Sequence, residues 1–257
     1  MREDDKMVAE ERRKKILEIL NKDGSVRVTE LSHIFDTSEV TIRTDLADME
    51  YKGLLTRVHG GAVCSYKPYY SMSLNQRMST NQEQKEIIAK KIAGMIEDND
   101  TVMLNSGTTT LLVFRAIPKS LNLSIVTNSI SIALEGNSNP NFNIILLGGL
   151  INSKYQFTFG DDAIRQLKSY HADKLVLSVD GIDLDYGFST YYDKEAEIDR
   201  IMLQQSNVNI VAADHSKFDR CAFTKISDLS VADYIVTDTD APEKMKAKLS
   251  KQSIKIC

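Results

Sequence analysis

Apolar residues near the amino terminus recur at helical spacing. Ile16, Leu17, Ile19 and Leu20 form one stripe behind a charged run at 10–15, and Lys22-Asp23-Gly24 supplies a stop. Val26-Arg27-Val28 alternates as a short strand does. Thr29 is placed to cap a second helix, whose apolar residues Leu31, Ile34 and Phe35 keep a helical spacing. After a tight turn at Asp36-Thr37, Ser38 is a suitable N-cap for a third helix, predicted from Glu39 to about Lys52 and ended by Gly53. Leu54-Leu55-Thr56-Arg57-Val58 reads as a strand and runs into His59-Gly60-Gly61. This order predicts a first domain over residues 1–62, built of three helices and a small β wing.

Residues 63–80 have little aliphatic periodicity and are rich in Ser, Tyr, Asn and Met, the pattern of a linker. Its tyrosines, Tyr66, Tyr69 and Tyr70, can equally pack on the domain that follows. Over residues 81–257 helical and strand patterns alternate. One helix carries Ile87, Ile88, Ile92 and Ile96, and another follows a Gly/Thr loop through Leu111, Leu112 and Phe114. Short apolar runs lie at 102–104, 124–126, 144–147, 175–179, 208–213 and 234–236. Such runs, bounded by turns and separated by helices, predict an α/β domain with a mostly parallel sheet covered on both faces.

Composition narrows the class. The chain has 257 residues, 42% hydrophobic and 26% charged, ordinary values for a globular protein. No apolar run approaches the ~18–20 residues that span a bilayer. The mixed-charge start Met1-Arg2-Glu3-Asp4-Asp5-Lys6 has no apolar leader core, so a cytoplasmic location is expected. Cys64, Cys221 and Cys257 are scattered and have no metal-ligand spacing; free thiols are expected, with no metal and no cofactor. Net charge is −4, and residues 1–60 carry 11 Lys/Arg against 13 Asp/Glu. Bulk charge therefore gives no nucleic-acid signal, and any such role must rest on local placement.

That placement is on the third helix. At 100° per residue, Ile42, Leu46 and Met49 share one face, while Val40, Arg43, Thr44 and Ala47 lie opposite, with Thr41 and Asp48 near the edge. In a helix-turn-helix the second helix of the pair enters the major groove. Arg reaches guanine O6 and N7, Thr bonds a base or phosphate, and Val meets a thymine methyl. Ser38, Val40, Thr41, Arg43 and Thr44 are thus candidate DNA-binding residues. Arg57, His59 and the basic run Arg12–Lys15 are candidates for phosphate. A solvated helix with some charges is the plainer reading. The run Ser38-Glu39-Val40-Thr41-Ile42-Arg43-Thr44-Asp45-Leu46, followed by Gly53-Leu54-Leu55-Thr56-Arg57-Val58-His59-Gly60-Gly61-Ala62, closely resembles the signature of the DeoR family of bacterial repressors. Thr44 stands where the family often has a second basic residue, and Asp45 lies toward the buried face.

In the second domain, Asn105-Ser106-Gly107-Thr108-Thr109-Thr110 follows a strand and opens a helix, a junction suited to an anion. It is neither a Walker A loop nor a Gly-x-Gly-x-x-Gly turn. Polar residues end the other predicted strands: Thr127-Asn128-Ser129, Gly148-Gly149, Asp180-Gly181 and Asp214-His215-Ser216-Lys217. Open α/β sheets bind ligands at those ends. Glu195, on a helix predicted over 193–205, borders its apolar stripe. Taken singly, each of these acids is more simply a cap or a surface charge. Together with Leu146-Leu147-Gly148-Gly149, Glu195-Ala196 and Asp214-His215-Ser216-Lys217-Phe218, these segments look like the successive motifs of the DeoR effector domain, so the resemblance runs over roughly residues 12–240.

The resemblance implies a Rossmann-like second domain similar to sugar-phosphate isomerases. It implies phosphate at Ser106, Gly107, Thr108, Thr109 and Thr110, with sugar near Asp180, Glu195, Asp214 and Lys217. Asn128, Gly148 and Gly149 complete the expected site. Two positions depart from the family: Asp199, where a Lys is frequent, is expected to remove a cation from the pocket rim, and Asp219 stands where Gly is common. The expected protein is a repressor of sugar-metabolism genes. It binds double-stranded operator DNA as a dimer or tetramer and is released by a phosphorylated sugar. A sugar-phosphate isomerase-like enzyme and a constitutive DNA-binding protein are the alternatives.

Overall fold

The computed structural model describes residues 9, 11–16, 19–20, 25–51, 55–58, 60–64 and 72–257. Two compact units result, Met1–Met72 and Ser73–Cys257.

The smaller unit contains α1 (helical at residues 11–16 and 19–20), β1 (Ser25–Arg27), α2 (Val28–Ile34), α3 (Glu39–Tyr51), β2 (Leu55–Val58) and β3 (Gly61–Cys64). The three strands pair antiparallel in the order β1-β3-β2, giving the wing. Apolar stripes from each helix meet in one core: Ile16 and Leu20, Leu31, then Ile42, Leu46 and Met49, closed by Val26, Leu55 and Ala62. Helix α2 begins two residues earlier than a Thr29 cap implies, at Val28, so Thr29 is not its cap. Arg27 at the N-cap position supplies no side-chain bond. The wing does that work instead, since the Val28 N–H, one of the helix's unpaired first-turn donors, bonds Gly60 O at 2.9 Å. Ser38 does cap α3, its Oγ accepting from Thr41 N at 3.1 Å.

The larger unit starts with α4 (Leu74–Ser79) and α5 (Gln82–Ala93). Residues 74–79 were read from sequence as part of a linker; they form a helix held by a full capping box between Ser73 and Gln76. Next come β4 (Thr101–Leu104), α6 (Thr108–Ala116), β5 (Leu123–Thr127), α7 (Ile130–Gly136), β6 (Phe142–Leu146), the hairpin β7 (Leu150–Asn152) and β8 (Phe157–Phe159), α8 (Asp161–Leu167) and β9 (Ala172–Ser178). The chain continues through β10 (Gly181–Asp183), β11 (Gly187–Thr190), α9 (Asp193–Gln204), β12 (Ser206–Ala212), β13 (Thr224–Ser227), β14 (Tyr234–Val236), α10 (Glu243–Ser250) and β15 (Lys255–Ile256).

Seven parallel strands form the main sheet in the order β15-β14-β12-β9-β4-β5-β6. All six apolar runs seen in the sequence lie in it. Alternate residues of each strand enter opposite cores. Met103, Leu175, Leu177 and Val211 join Ala196, Ile198 and Met202 of α9. Val102, Leu104, Val176 and Ile210 join Ile88 and Ile92 of α5 and Val113 and Phe114 of α6. Ile87, counted with that stripe from sequence, is 41% exposed at its edge. Among the described residues no helix is long and apolar enough to cross a membrane.

Chain order explains where a site must form. From β4 the chain proceeds outward through β5 and β6; it then returns to the other side of β4 and proceeds through β9, β12, β14 and β15. The winding reverses between β4 and β9, so loops leaving their carboxyl ends diverge to opposite faces and open a crevice.

Candidate functional site

Two surfaces carry the candidate chemistry. On α3, burial follows the angular prediction: Ile42, Asp45, Leu46 and Met49 face the core, while Ser38, Val40, Arg43 and Thr44 are exposed and Thr41 is partly so. Val40 is 69% exposed, a large apolar side chain held away from the core. Arg43 pairs with Glu39 one turn back at 2.6 Å. The Thr44 hydroxyl donates to Val40 O at 2.9 Å, leaving its methyl and an oxygen lone pair outward. Arg57 is exposed on the wing, and its backbone N–H is held by Glu50. His59 lies outside the described residues. In the Arg12–Lys15 run three of the four basic residues have acidic partners within the unit. Arg12 and Arg13 pair with buried Asp45 at 2.6 and 2.8 Å, Arg13 also pairs with Asp48, and Lys15 pairs with Glu11. Asp45 thus ties α1 to α3.

The crevice at the reversal point begins with Asn105, fully buried after β4. Its Nδ2 donates to Ser178 O at 3.0 Å and its Oδ1 accepts from Ser178 N at 2.9 Å, pinning the ends of β4 and β9. Helix α6 opens two residues later with Gly107 at the N-cap position and no side-chain cap. Its first-turn N–H groups have no intrahelical partner, and Ser106, Thr108 and Thr109 at this turn each carry a hydroxyl that can donate. Thr110 does not belong with them: its buried hydroxyl donates back to Asn105 O and Gly107 O, at 2.8 and 3.0 Å. Gly107 is required by the protein itself, since a Cβ there would collide with Ser178 Oγ.

Opposite this loop stand the acids. Ser106 Oγ donates to Glu195 Oε1 at 3.1 Å, bridging the β4 loop to α9. Thr190 Oγ1 lies 2.9 Å from Glu195 Oε2 and 3.2 Å from Asp180 Oδ2. Asp180 also accepts from Tyr191 N and pairs with Arg77 at 2.8 Å. Burial favours its neutral form, but Arg77, Lys217 and Arg220 outweigh that and hold its carboxyl below the usual range. Glu195 goes the other way: burial and the nearby Asp180 raise it to about 7 despite Arg77. Asp199, one turn further along α9, is pushed well above the carboxylate range by burial and by Glu195. It is fully buried and accepts from Asn105 Nδ2 at 3.1 Å, so it lies beneath the crevice rather than on the rim as the sequence implied. Its Oδ2 has no hydrogen-bond partner.

The remaining predicted residues are less uniform. Asp214 caps a one-turn 3-10 helix, accepting from Ser216 N and Oγ, and also from Asn81 Nδ2 at 3.0 Å. Burial would raise it, but Lys217 and the Ser216 hydroxyl keep it low. Lys217 is itself buried. Asn128 donates to Thr158 O, and its buried Oδ1 has no partner. Gly148 N donates to Gln166 Oε1 of α8, and a Cβ at Gly149 (φ +152°) would collide with Phe159 O of β8, so Gly148 ties the loop to α8 and Gly149 serves the closure of the β7–β8 hairpin. Asp219 has φ +51°, in the left-handed region that favours glycine, which accounts for the departure noted there as one of backbone strain. Sequence reasoning missed Arg77, Asn81 and Thr190. The capping box Ser73-Leu74-Asn75-Gln76 was the available signal that Arg77 sits on a helix.

Both units match known families. The DeoR-like helix-turn-helix domain matches residues 12–67, and the DeoR C terminal sensor domain matches residues 80–239. The HTH-type transcriptional regulator YulB of Bacillus subtilis, uncharacterized by its name, is 34% identical, covering 97% of this chain and 96% of its own. The HTH-type transcriptional repressor GlcR of the same species is 31% identical over 90% of this chain and 89% of its own. The glycerol-3-phosphate regulon repressor of Escherichia coli K12 is 31% identical over 94% of this chain and 95% of its own. Among solved structures, a ribose 5-phosphate isomerase A from Methanocaldococcus jannaschii aligns with a TM-score of 0.40 and 16% identity, over 54% of this chain and 55% of that one. With a winged helix-turn-helix ahead of a sensor domain, and relatives aligned over nearly its whole length, the chain belongs to the DeoR family of DNA-binding transcriptional repressors.

Proposed function

We propose that this repressor holds double-stranded operator DNA until a phosphorylated sugar occupies the crevice between β4 and β9. The observation that carries the reading is the amino end of α6: an uncapped helix start at the reversal point of the sheet, flanked by the hydroxyls of Ser106, Thr108 and Thr109. Backbone donors and the helix dipole favour a phosphate there. Glu195, Asp180, Asp214 and Lys217 line the route from that phosphate to a polyol, with Asn128 offering a buried acceptor. The glycerol-3-phosphate regulon named for one relative fits that chemical class. On DNA, Ser38, Val40, Thr41, Arg43 and Thr44 enter the major groove, with Arg57 and His59 on the flanking phosphates. Two or four copies would meet a symmetric operator.

The reading is one of binding rather than turnover. A general base must reach a substrate proton, whereas Glu195 and Asp180 are each engaged by two or more protein groups. A thermal-shift screen of the purified chain against triose, pentose and hexose phosphates tests it. A ligand at ~100 times its dissociation constant adds about 2.7 kcal/mol of stability. A flat response across the panel refutes the effector, and isomerisation of any member refutes the non-enzymatic reading.

A further inference from the structure

The segment that opens the larger unit is fastened to the crevice. Only residues 65–73 separate β3 of the DNA-binding unit from α4. Arg77 of α4 pairs with Asp180 beyond β9. Asn81, between α4 and α5, bonds Asp214 beyond β12. Lys85, almost fully buried on α5, donates to Arg77 O at 2.7 Å and holds the carboxyl end of α4. Each fastening ends on a carboxylate at the mouth of the sheet or on the helix that reaches it.

One of these fastenings continues to the loop at α6. Arg77 donates to Asp180, Thr190 bridges Asp180 and Glu195, and Ser106 donates to Glu195, at 2.8, 3.2, 2.9 and 3.1 Å. The five side chains form an unbroken relay. Thr190 has one hydroxyl proton and two carboxylates in reach, so it donates to one at a time. That makes it an element with two arrangements, which is what physical coupling between sites requires.

We propose that Arg77 is a positioning residue through which occupancy of the Ser106–Thr109 loop is felt by α4, the first helix after the DNA-binding unit. This rests on the crevice being the phosphate site. A phosphate at α6 takes the Ser106 hydroxyl, whose single proton cannot serve Glu195 as well. With Glu195 ionised, above its raised pKa, it then draws the Thr190 proton, and Asp180 loses that donor. Its charge falls more fully on Arg77, and α4 is held more firmly. A ligand that favours the tightened arrangement shifts the chain toward it.

Hydrogen–deuterium exchange on the full chain at about pH 8, where Glu195 is ionised, tests this, with inorganic phosphate against chloride at matched ionic strength. In the unaltered chain phosphate should slow exchange severalfold at residues 105–111 and also at 74–85. In Arg77→Met the first response should persist and the second vanish, and Arg77→Lys should restore it in part. Thr190→Val, which cuts the relay without touching α4, should behave as Arg77→Met does and guards against a folding defect in that variant. If 74–85 still respond in Arg77→Met and Thr190→Val, the relay is not the link and the inference falls alone. If 105–111 fail to respond in the unaltered chain, the phosphate site itself falls and the inference with it.

Discussion

Glu195 and Asp199 stand one turn apart on α9 and carry protons that ordinary carboxyls give up well below neutrality. Burial is the first cause for both; Asp180 adds to it at Glu195, and Glu195 adds to it at Asp199. The consequence for stability has a definite sign. Glu195 titrates near 4.5 in the unfolded chain and near about 7 in the fold. Its contribution is present in full below pH 4.5 and is lost as pH rises through 7, because the unfolded chain releases its proton first. Glu195→Gln removes that loss while keeping an acceptor for Ser106. The melting temperature of the variant should therefore gain on the unaltered chain between pH 4.5 and 7 and hold a constant lead above. At 1.36 kcal/mol per pKa unit the gain across that window is on the order of 3 kcal/mol. Melts at four or five pH values decide it; a gap independent of pH would mean Glu195 titrates normally. The sequence marks Glu195 as bordering the apolar stripe of α9 but not as a raised carboxyl, since its shift comes from burial and from Asp180, which the fold brings to it.

At the scale of one element, α3 shows a competition with a clear winner. Arg43 is tied to Glu39, an exposed i,i+4 pair worth about 0.3–0.5 kcal/mol. A bidentate contact to guanine is worth ~1–3 kcal/mol, so a guanine edge within reach would displace Glu39 from the guanidinium. Arg43→Ala should weaken operator binding by about 1–3 kcal/mol, seen as a roughly 5- to 150-fold rise in dissociation constant, and should relax the preference at one base pair. Binding unchanged on an operator selected from random-sequence DNA would remove Arg43 from the groove. The orientation of α3 was legible because its three core residues recur at 3.6-residue spacing and nothing overrides that pattern. The start of α2 was not, because its first donor is met by Gly60, a wing residue, rather than by a neighbouring side chain. The short strands β7, β8, β10, β11, β13 and β15 escaped for a related reason. Each has two to four residues, too few for alternation to show; β7–β8 and β10–β11 are short hairpins, while β13 and β15 depend on partners distant in the chain.

For the whole molecule, the six apolar runs determined a parallel sheet, and the motifs at the strand ends located the crevice, because both follow from local pattern. What pattern could not supply was which polar groups also serve the protein: the Thr110 hydroxyl, Gly149 and Asp214 each have a role within their own chain. The two units also impose a thermodynamic test that needs no picture of their mutual arrangement. If the sugar phosphate lowers operator affinity by some factor, bound operator must lower sugar-phosphate affinity by the same factor, since both describe one coupling free energy. Couplings of this kind are typically about 1–3 kcal/mol, or roughly 5- to 150-fold. With an operator selected by the purified chain and the best ligand of the phosphate panel, calorimetric titration of ligand with and without DNA should give dissociation constants in that ratio. Titration of DNA with and without ligand should give its equal. Equal ligand affinities in the two arms would mean that the sensor domain binds its ligand without releasing DNA, because a ligand with no preference between two states shifts neither.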